Sequence, residues 1–350
     1  LRDKTGGEFE EWDHGLNDNS WMCRPSQLPE NLHNNWWTMS AALDFLKRRD
    51  RTRPYFLNIS FHRPHPPIDP PQNYYDMYRD RPLEDVPVGD WRPKDLGPVR
   101  AMSTGQGVLP KSILDNSRRG YYAQLAHLDN MIGRLLVSFW NLKEEEPWIL
   151  FTSDHGELLG DHHHFGKSLP YEGSARIPLV IKPPKAARAG ETGLVSRPAV
   201  IEDIYPTILE IAGLDADPRL DSHSLLPLLG EGAPLDRDVI HAEHAHPGRG
   251  HGLWHMLSDG HHKYVWWTAD GRELLFDLEE DPQETRDLSG KQPDLCETWR
   301  QRLATYLHEK QGYDQLSDGV RLKTGVKVDV FRPWAEIGVF EHQGATEATP

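Results

Sequence analysis

The 350-residue sequence is poor in cysteine, short of positive charge and without any long apolar run. Two cysteines, Cys23 and Cys296, are too few for the disulfide framework that stabilises small secreted folds; at most they make one pair. No stretch approaches the roughly 18 consecutive apolar residues of a membrane-crossing helix, so no spanning segment is encoded. Lys and Arg number 39 against 54 Asp and Glu, a formal net charge of -15, which argues against nucleic-acid partners and against docking on an anionic membrane surface. A small anionic substrate stays open, because a cleft with a metal and a few cations is locally positive whatever distant, screened charges do. The first residues, LRDKTGGEFEEWDHGLNDNS, have neither an initiating Met nor a basic-plus-apolar leader, and the expectation is that an N-terminal segment is missing, with any export signal in it.

What is there in quantity is aromatic surface. Twelve Trp, 11 Tyr and 10 Phe offset a modest 37% apolar fraction and point to a folded chain of one or two domains. Asn35, Trp37, Met39, Ala42, Leu43, Phe45 and Leu46 follow a helical stripe that ends in the basic run 47–49, where a helix C-terminus favours cations. Tyr55 to Phe61 reads as a buried strand that runs into HRPHPPIDPP, a rigid loop whose prolines lack donors and hold φ. Tyr121, Leu125, Leu128, Ile132, Leu135 and Leu136 predict a long helix, and Trp148 to Thr152 and Ile177 to Ile181 predict strands. A further helix is expected over 200–212 with Gly213 as its stop. Strands alternating with long helices indicate an α/β fold, an open sheet between helices.

Beyond the Gly- and Pro-rich stretch 226–234 the pattern changes to short strands at 239–242, 254–256, 262–267 and 273–277 and a helix over 295–310, a small α+β region. The expected division is 1–232, 233–315 and a C-terminal extension over 316–350.

The chemistry concentrates at TSDHGE, directly after a strand, where open α/β folds collect their ligands. Asp154 and His155 can leave the strand end and converge on one metal ion; the bland alternatives are a turn cap and a packing histidine. Lys167, twelve residues beyond His155 in a Gly-containing loop, can return to the same pocket and stabilise a leaving oxyanion. Of the consecutive His162, His163 and His164, one at most is expected to face inward. His241, Glu243, His244 and His246 are candidates for the rim of the substrate entrance, or simply a polar turn.

FTSDHGELLGDHHHFGKSLPYEGSARIPLVIKPP resembles the sulfatase family, a branch of the alkaline-phosphatase-like hydrolases. PYFLNISFHRPHPPIDPP before it and HKYVWWTADGRELLFDLEEDPQETRDL after it stand in the family's order, and the resemblance covers residues 28–310. It implies an alkaline-phosphatase-like sandwich with a central, mostly parallel sheet between helices, and hydrolysis of a small sulfate monoester. It also implies that Asp154 and His155 are a second pair of metal ligands, that His65 contacts the sulfate or leaving-group region, and that Lys167 assists leaving-group departure. Arg63 and His62 either orient their loop or touch substrate, and Tyr171 and Glu172 hold theirs. One divalent metal is expected, calcium favoured and manganese or zinc as alternatives.

The family's formylglycine arises from a C/S-x-P-S-R motif, and here MCRPSQ puts Gln27 where Arg is needed and Cys23 too close to the blocks that follow. Cys23 is therefore read as a decoy, with Asp13 and Asp18 isolated from any aspartate pair, and the formylglycine is expected in the missing N-terminal part. The alternatives are hydrolysis of a phosphonate monoester or phosphodiester, and a nonenzymatic remnant that binds metal or anion.

Overall fold

The structure, a computed structural model, describes residues 15–16, 19–99, 105–142, 146–187, 193–229, 235, 237–244, 253–310 and 316–325. Asp13, Asp18, His246, the expected boundary at 233 and the extension over 326–350 lie outside the described residues. The chain divides into two compact units, the first from within 1–192, 207–217 and 226–233, the second from within 193–206, 218–225 and 234–350.

In the first unit, α1 (Asn34–Arg48) buries Met39, Ala42 and Leu46 and leaves Trp37 on its far side, 71% exposed. A short α2 (Gln72–Tyr78) precedes α3 (Lys111–Trp140), and α3 sets Met131, Leu135 and Phe139 against the α1 residues. The buried face of α3 is rotated from the predicted stripe: Gly120, Ala123, Gln124, His127 and Met131 are buried and Leu125 is exposed. The reason is polar packing, which hydropathy does not register. Gln124 donates to the Pro67 carbonyl at 2.9 Å and to Asp69 at 3.0 Å, and Ser117 donates to the Trp21 carbonyl.

Tyr55, Leu57, Ile59 and Phe61 pack against this α1–α3 core while Phe56 points away, 71% exposed. That is the two-residue period of a strand, yet the segment pairs with no strand among the described residues. Among the described residues of the first unit one ladder forms, joining β1 (Ile149–Thr152) to β2 (Leu179–Lys182) antiparallel, with α4 (Glu172–Ala175) in the connection. Phe151 and Val180, opposite each other in that ladder, are both exposed. Helix α5 (Ile204–Ile211) follows a 3-10 turn over 201–203.

The second unit is a meander in which every strand pairs antiparallel with its sequence neighbour: β3 (Ile240–His244), β4 (Trp254–Ser258), β5 (His262–Trp267) and β6 (Glu273–Asp277). Helix α6 (Pro293–Glu309) starts with Pro at its first turn, where the missing N–H costs nothing, and lays Cys296, Trp299, Leu303 and Leu307 into the core. They meet Leu257, Tyr264, Trp266 and Leu275, and each of the four fully buried leucines contributes roughly 1.5–3 kcal/mol over exposure. Lys263 is buried with Glu284 at 2.8 Å, and Glu284 donates its backbone N–H to the Asp281 carbonyl across the turn that Asp281 and Pro282 begin.

Candidate active site

The Pro-rich loop after Phe61 is held from beneath by Arg63. Its guanidinium is buried and forms two parallel bonds to Asp69, at 2.6 and 3.0 Å, and a third contact to His62 at 2.6 Å. Of the two readings for Arg63, orientation of the loop is the one its geometry serves: a fully buried side chain saturated by Asp69 has no face for substrate. The loop carries His65 outward. Its Nδ1 lies 2.7 Å from the Pro66 carbonyl, an acceptor only, so Nδ1 holds the proton and Nε2 keeps its lone pair. That lone pair faces the Lys167 ammonium, which donates to it at 2.8 Å. Burial, then Lys167, His62 and His155, hold the His65 imidazole below its ordinary value against an opposing pull from the Pro66 bond. Neutral His65 and its lysine donor are mutually consistent.

Lys167 arrives by a loop built almost without regular structure. Gly156 donates to the Ser174 carbonyl at 2.8 Å, and any Cβ at Gly156 would run into the Gly173 carbonyl. Glu157 accepts from the backbone N–H groups of Leu159 at 3.1 Å and Gly166 at 2.6 Å, tying the loop's two ends together just before Lys167. Gly166 and Ser168, the neighbours of Lys167, both take left-handed backbone, φ 78° and 74°. The Lys167 ammonium also donates to Asn19 at 3.2 Å.

The histidine run behaves differently from its expectation. Two of the three turn inward, not one: His162 accepts from the Gly89 N–H at 3.1 Å and packs on Trp91, while His164 stacks on Tyr171. Residues two apart share a face of extended backbone, so two inward histidines need only His163 to point away; His162 and His163 themselves take left-handed backbone. Tyr171 is buried beneath them and its carbonyl accepts from Ser174 and Ala175, which anchors the loop.

Asp154 and His155 leave the end of β1 together. The His155 Nδ1 donates to the Gly156 carbonyl at 2.8 Å, which leaves the Nε2 lone pair facing the Asp154 carboxylate at 3.5 Å. Two acceptors set side by side are reconciled by a cation or a proton between them, and a ring N–H on a backbone carbonyl is the usual outer contact of a metal-ligating imidazole. The Asp154 side chain is 81% exposed, so its oxygen is accessible to an ion. The pair fits a divalent metal in donor chemistry and would supply two ligands. The His65 and His155 rings lie 6.4 Å apart, so the four predicted residues form one continuous group. Asn19 and Asp69 were missed, and Glu157, singled out within TSDHGE, was given no role: a lone polar residue has no periodicity, and only the fold shows what it holds.

Cys23 is a packing residue. Its thiol lies against Gly120 of α3, where a Cβ would collide with the sulfur, and burial, then Asp69, pushes it up to about 12. A thiol so held is protonated at neutral pH and a poor nucleophile.

Comparison with known proteins gives a consistent answer. The family model described as Sulfatase matches residues 2–214, and that described as N-sulphoglucosamine sulphohydrolase, C-terminal, matches 160–311. An arylsulfatase of Clostridium perfringens is 36% identical over 339 residues, covering 95% of this chain and 69% of the relative. A multifunctional alkaline phosphatase superfamily protein, PehA, of Trinickia caryophylli is 33% identical over 314 residues, covering 76% of this chain and 57% of the relative. The crystal structure of a phosphonate monoester hydrolase of Agrobacterium radiobacter shares the fold with a TM-score of 0.70 at 24% identity, covering 86% of this chain and 66% of that one. The chain thus spans 57% to 69% of the length of these two curated relatives.

Proposed function

Because the chain belongs to the sulfatase family, we propose that it carries the leaving-group half of a sulfate-ester hydrolase active site, acting on a small sulfated molecule. The observation that carries this reading is the 2.8 Å contact of Lys167 with neutral His65, beside the exposed Asp154–His155 pair. As the ester S–O bond lengthens, negative charge gathers on the bridging oxygen. The Lys167 ammonium has three donors; one rests on His65 and one on Asn19, and the third is available to that oxygen. His65 positions the ammonium through its Nε2 lone pair while Pro66 fixes its tautomer.

Asp154 and His155 would hold part of the shell of one divalent metal, calcium favoured, which when bound neutralises charge on the nonbridging sulfate oxygens. The attacking oxygen is assigned to a formylglycine outside the described residues, since the half-buried Cys23 thiol is packed against Gly120 and held protonated. Phosphonate monoester or phosphodiester hydrolysis is the second reading, as the same charges suit a phosphorus centre.

The test compares Lys167→Ala with wild type in the natural gene product, using aryl sulfates of graded leaving-group pKa and a matching aryl phosphonate. The variant should lose about 100-fold or more in kcat on the poorest leaving groups and much less on the best. A loss independent of leaving group would overturn the Lys167 role, and faster phosphonate than sulfate turnover in the wild type would move the assignment to the second reading. Asp154→Asn should lower bound calcium and turnover together.

A further inference from the structure

A second set of metal-ligating side chains lies in the second unit, on the sheet face of β3 and β4. Glu243 stands opposite His255 in the ladder, and His241, two residues before Glu243, shares its face. The His241 Nε2 is 3.1 Å from the His255 Nδ1, and the Glu243 carboxylate is 3.3 Å from that same nitrogen. One donor atom from each of the three lies within 4.8 Å of the others, and among the described residues this is the only set of three or more His, Cys, Asp or Glu that converges so.

Two physical arguments favour a cation over a simple hydrogen-bond cluster. First, two groups with lone pairs approach the His255 Nδ1, which a shared proton serves only with two weakened bonds and a cation serves with a full bond to each ligand. Second, ligands held tetrahedrally at about 2.0–2.1 Å from zinc stand about 3.3 Å from each other, and the two measured separations match that edge. The rings are also held in place by packing. His255 is fully buried and stacked on Trp266, centroids 5.8 Å apart, and His241 packs on Tyr306 of α6 at 4.9 Å. Glu243 is partly exposed and offers the way in.

We propose that His241, Glu243 and His255 form a divalent-metal site of zinc type, with three protein ligands and one coordination position left for water or another donor. The site is separate from Asp154 and His155 and does not rest on the sulfatase reading. Two imidazoles and one carboxylate select a borderline metal such as zinc over the hard calcium ion assigned to the aspartate site.

The experiment uses the whole chain, stripped with chelator and titrated with zinc chloride in competition with a chromophoric chelator. Bound zinc is counted by elemental analysis, and cobalt substitution reports coordination through its visible absorption. Wild type should bind one zinc equivalent that Glu243→Gln and His241→Asn each weaken by tenfold or more, with loss of the intense cobalt bands of a four-coordinate site. Asp154→Asn should leave that equivalent in place. Circular dichroism of the metal-free variants checks folding, and the half-exposed, isosteric Glu243→Gln carries the test alone if His241→Asn does not fold. The proposal is overturned if the wild type binds no zinc equivalent, if Glu243→Gln leaves affinity and cobalt spectrum unchanged, or if Asp154→Asn alone abolishes zinc binding.

Discussion

The two units solve the burial of polar groups in opposite ways. In the second, backbone groups are taken up by an antiparallel meander whose strands follow one another in sequence, and a single helix covers one face with carbon. In the first, the segments that matter, 62–69 and 153–172, have little regular structure, and their order depends on side chains: Arg63 on Asp69, Gln124 on Pro67, Glu157 on two backbone N–H groups. Regular structure satisfies its own hydrogen bonds whatever the side chains, whereas a loop that aims His65 and Lys167 must recruit particular ones. The difference teaches where sequence changes are tolerated. The small sheet should absorb any substitution that keeps volume and pattern, and the loop site should not.

The sharpest way to break this comparison is through the two buried ion pairs. Arg63→Met and Lys263→Met each strand a buried carboxylate, Asp69 or Glu284, and each should cost about 3–5 kcal/mol in urea denaturation. The double replacements should then diverge. Lys263→Met with Glu284→Leu is expected to recover most of the loss, while Arg63→Met with Asp69→Leu is not, because Gln124 and His62 lose their partners too. Equal recovery in both would remove the contrast.

Next in size, Leu303→Ala, which opens a cavity between α6 and the sheet, should cost about 2–5 kcal/mol. Val180→Ala, on the exposed face of β2, should stay within about 0.5 kcal/mol. A large Val180 effect would mean that the outer face of the β1–β2 ladder is covered in solution.

A pH dependence is expected of the first unit as well. Burial keeps His33 neutral to about 4 and His127 and His164 to about 3, and neither ring nitrogen of His127 has a hydrogen-bond partner. These folded values lie below the ordinary 6.5, so the unfolded chain takes up protons first and stability is full above 6.5 and falls as pH drops toward 4. At pH 5.5 each group should cost about 1.4 kcal/mol relative to neutral pH. His127→Phe should flatten the curve by one such share in urea midpoints taken at pH 7 and 5.5; a midpoint independent of pH would refute the assignment.

The family blocks were legible because chemistry-bearing residues adjoin in sequence: TSDHGE follows a strand, and FHRPHPP leaves an apolar run. The strands at 262–267 and 273–277 and the helix of the second unit were legible for a related reason, since hydrophobic period and local hydrogen bonding agree there. The rotated face of α3 was not, because Gln124, Ser117 and His127 are polar residues whose burial depends on partners far away in sequence. Nor was the burial of His162, which is held by the Gly89 N–H far away in sequence.

Residue type and spacing alone thus determined that a carboxylate, an imidazole and a lysine follow a strand, in blocks that resemble the sulfatase family, and that a small sheet and helix follow. Tertiary structure decided which of them meet. Lys167 and His65 are 102 residues apart and in hydrogen-bond contact, and His241 and His255 face each other only because β3 and β4 take one register. Periodicity reports how a residue sits on its own element, while contact between distant side chains depends on loop closure and packing, which no local pattern encodes.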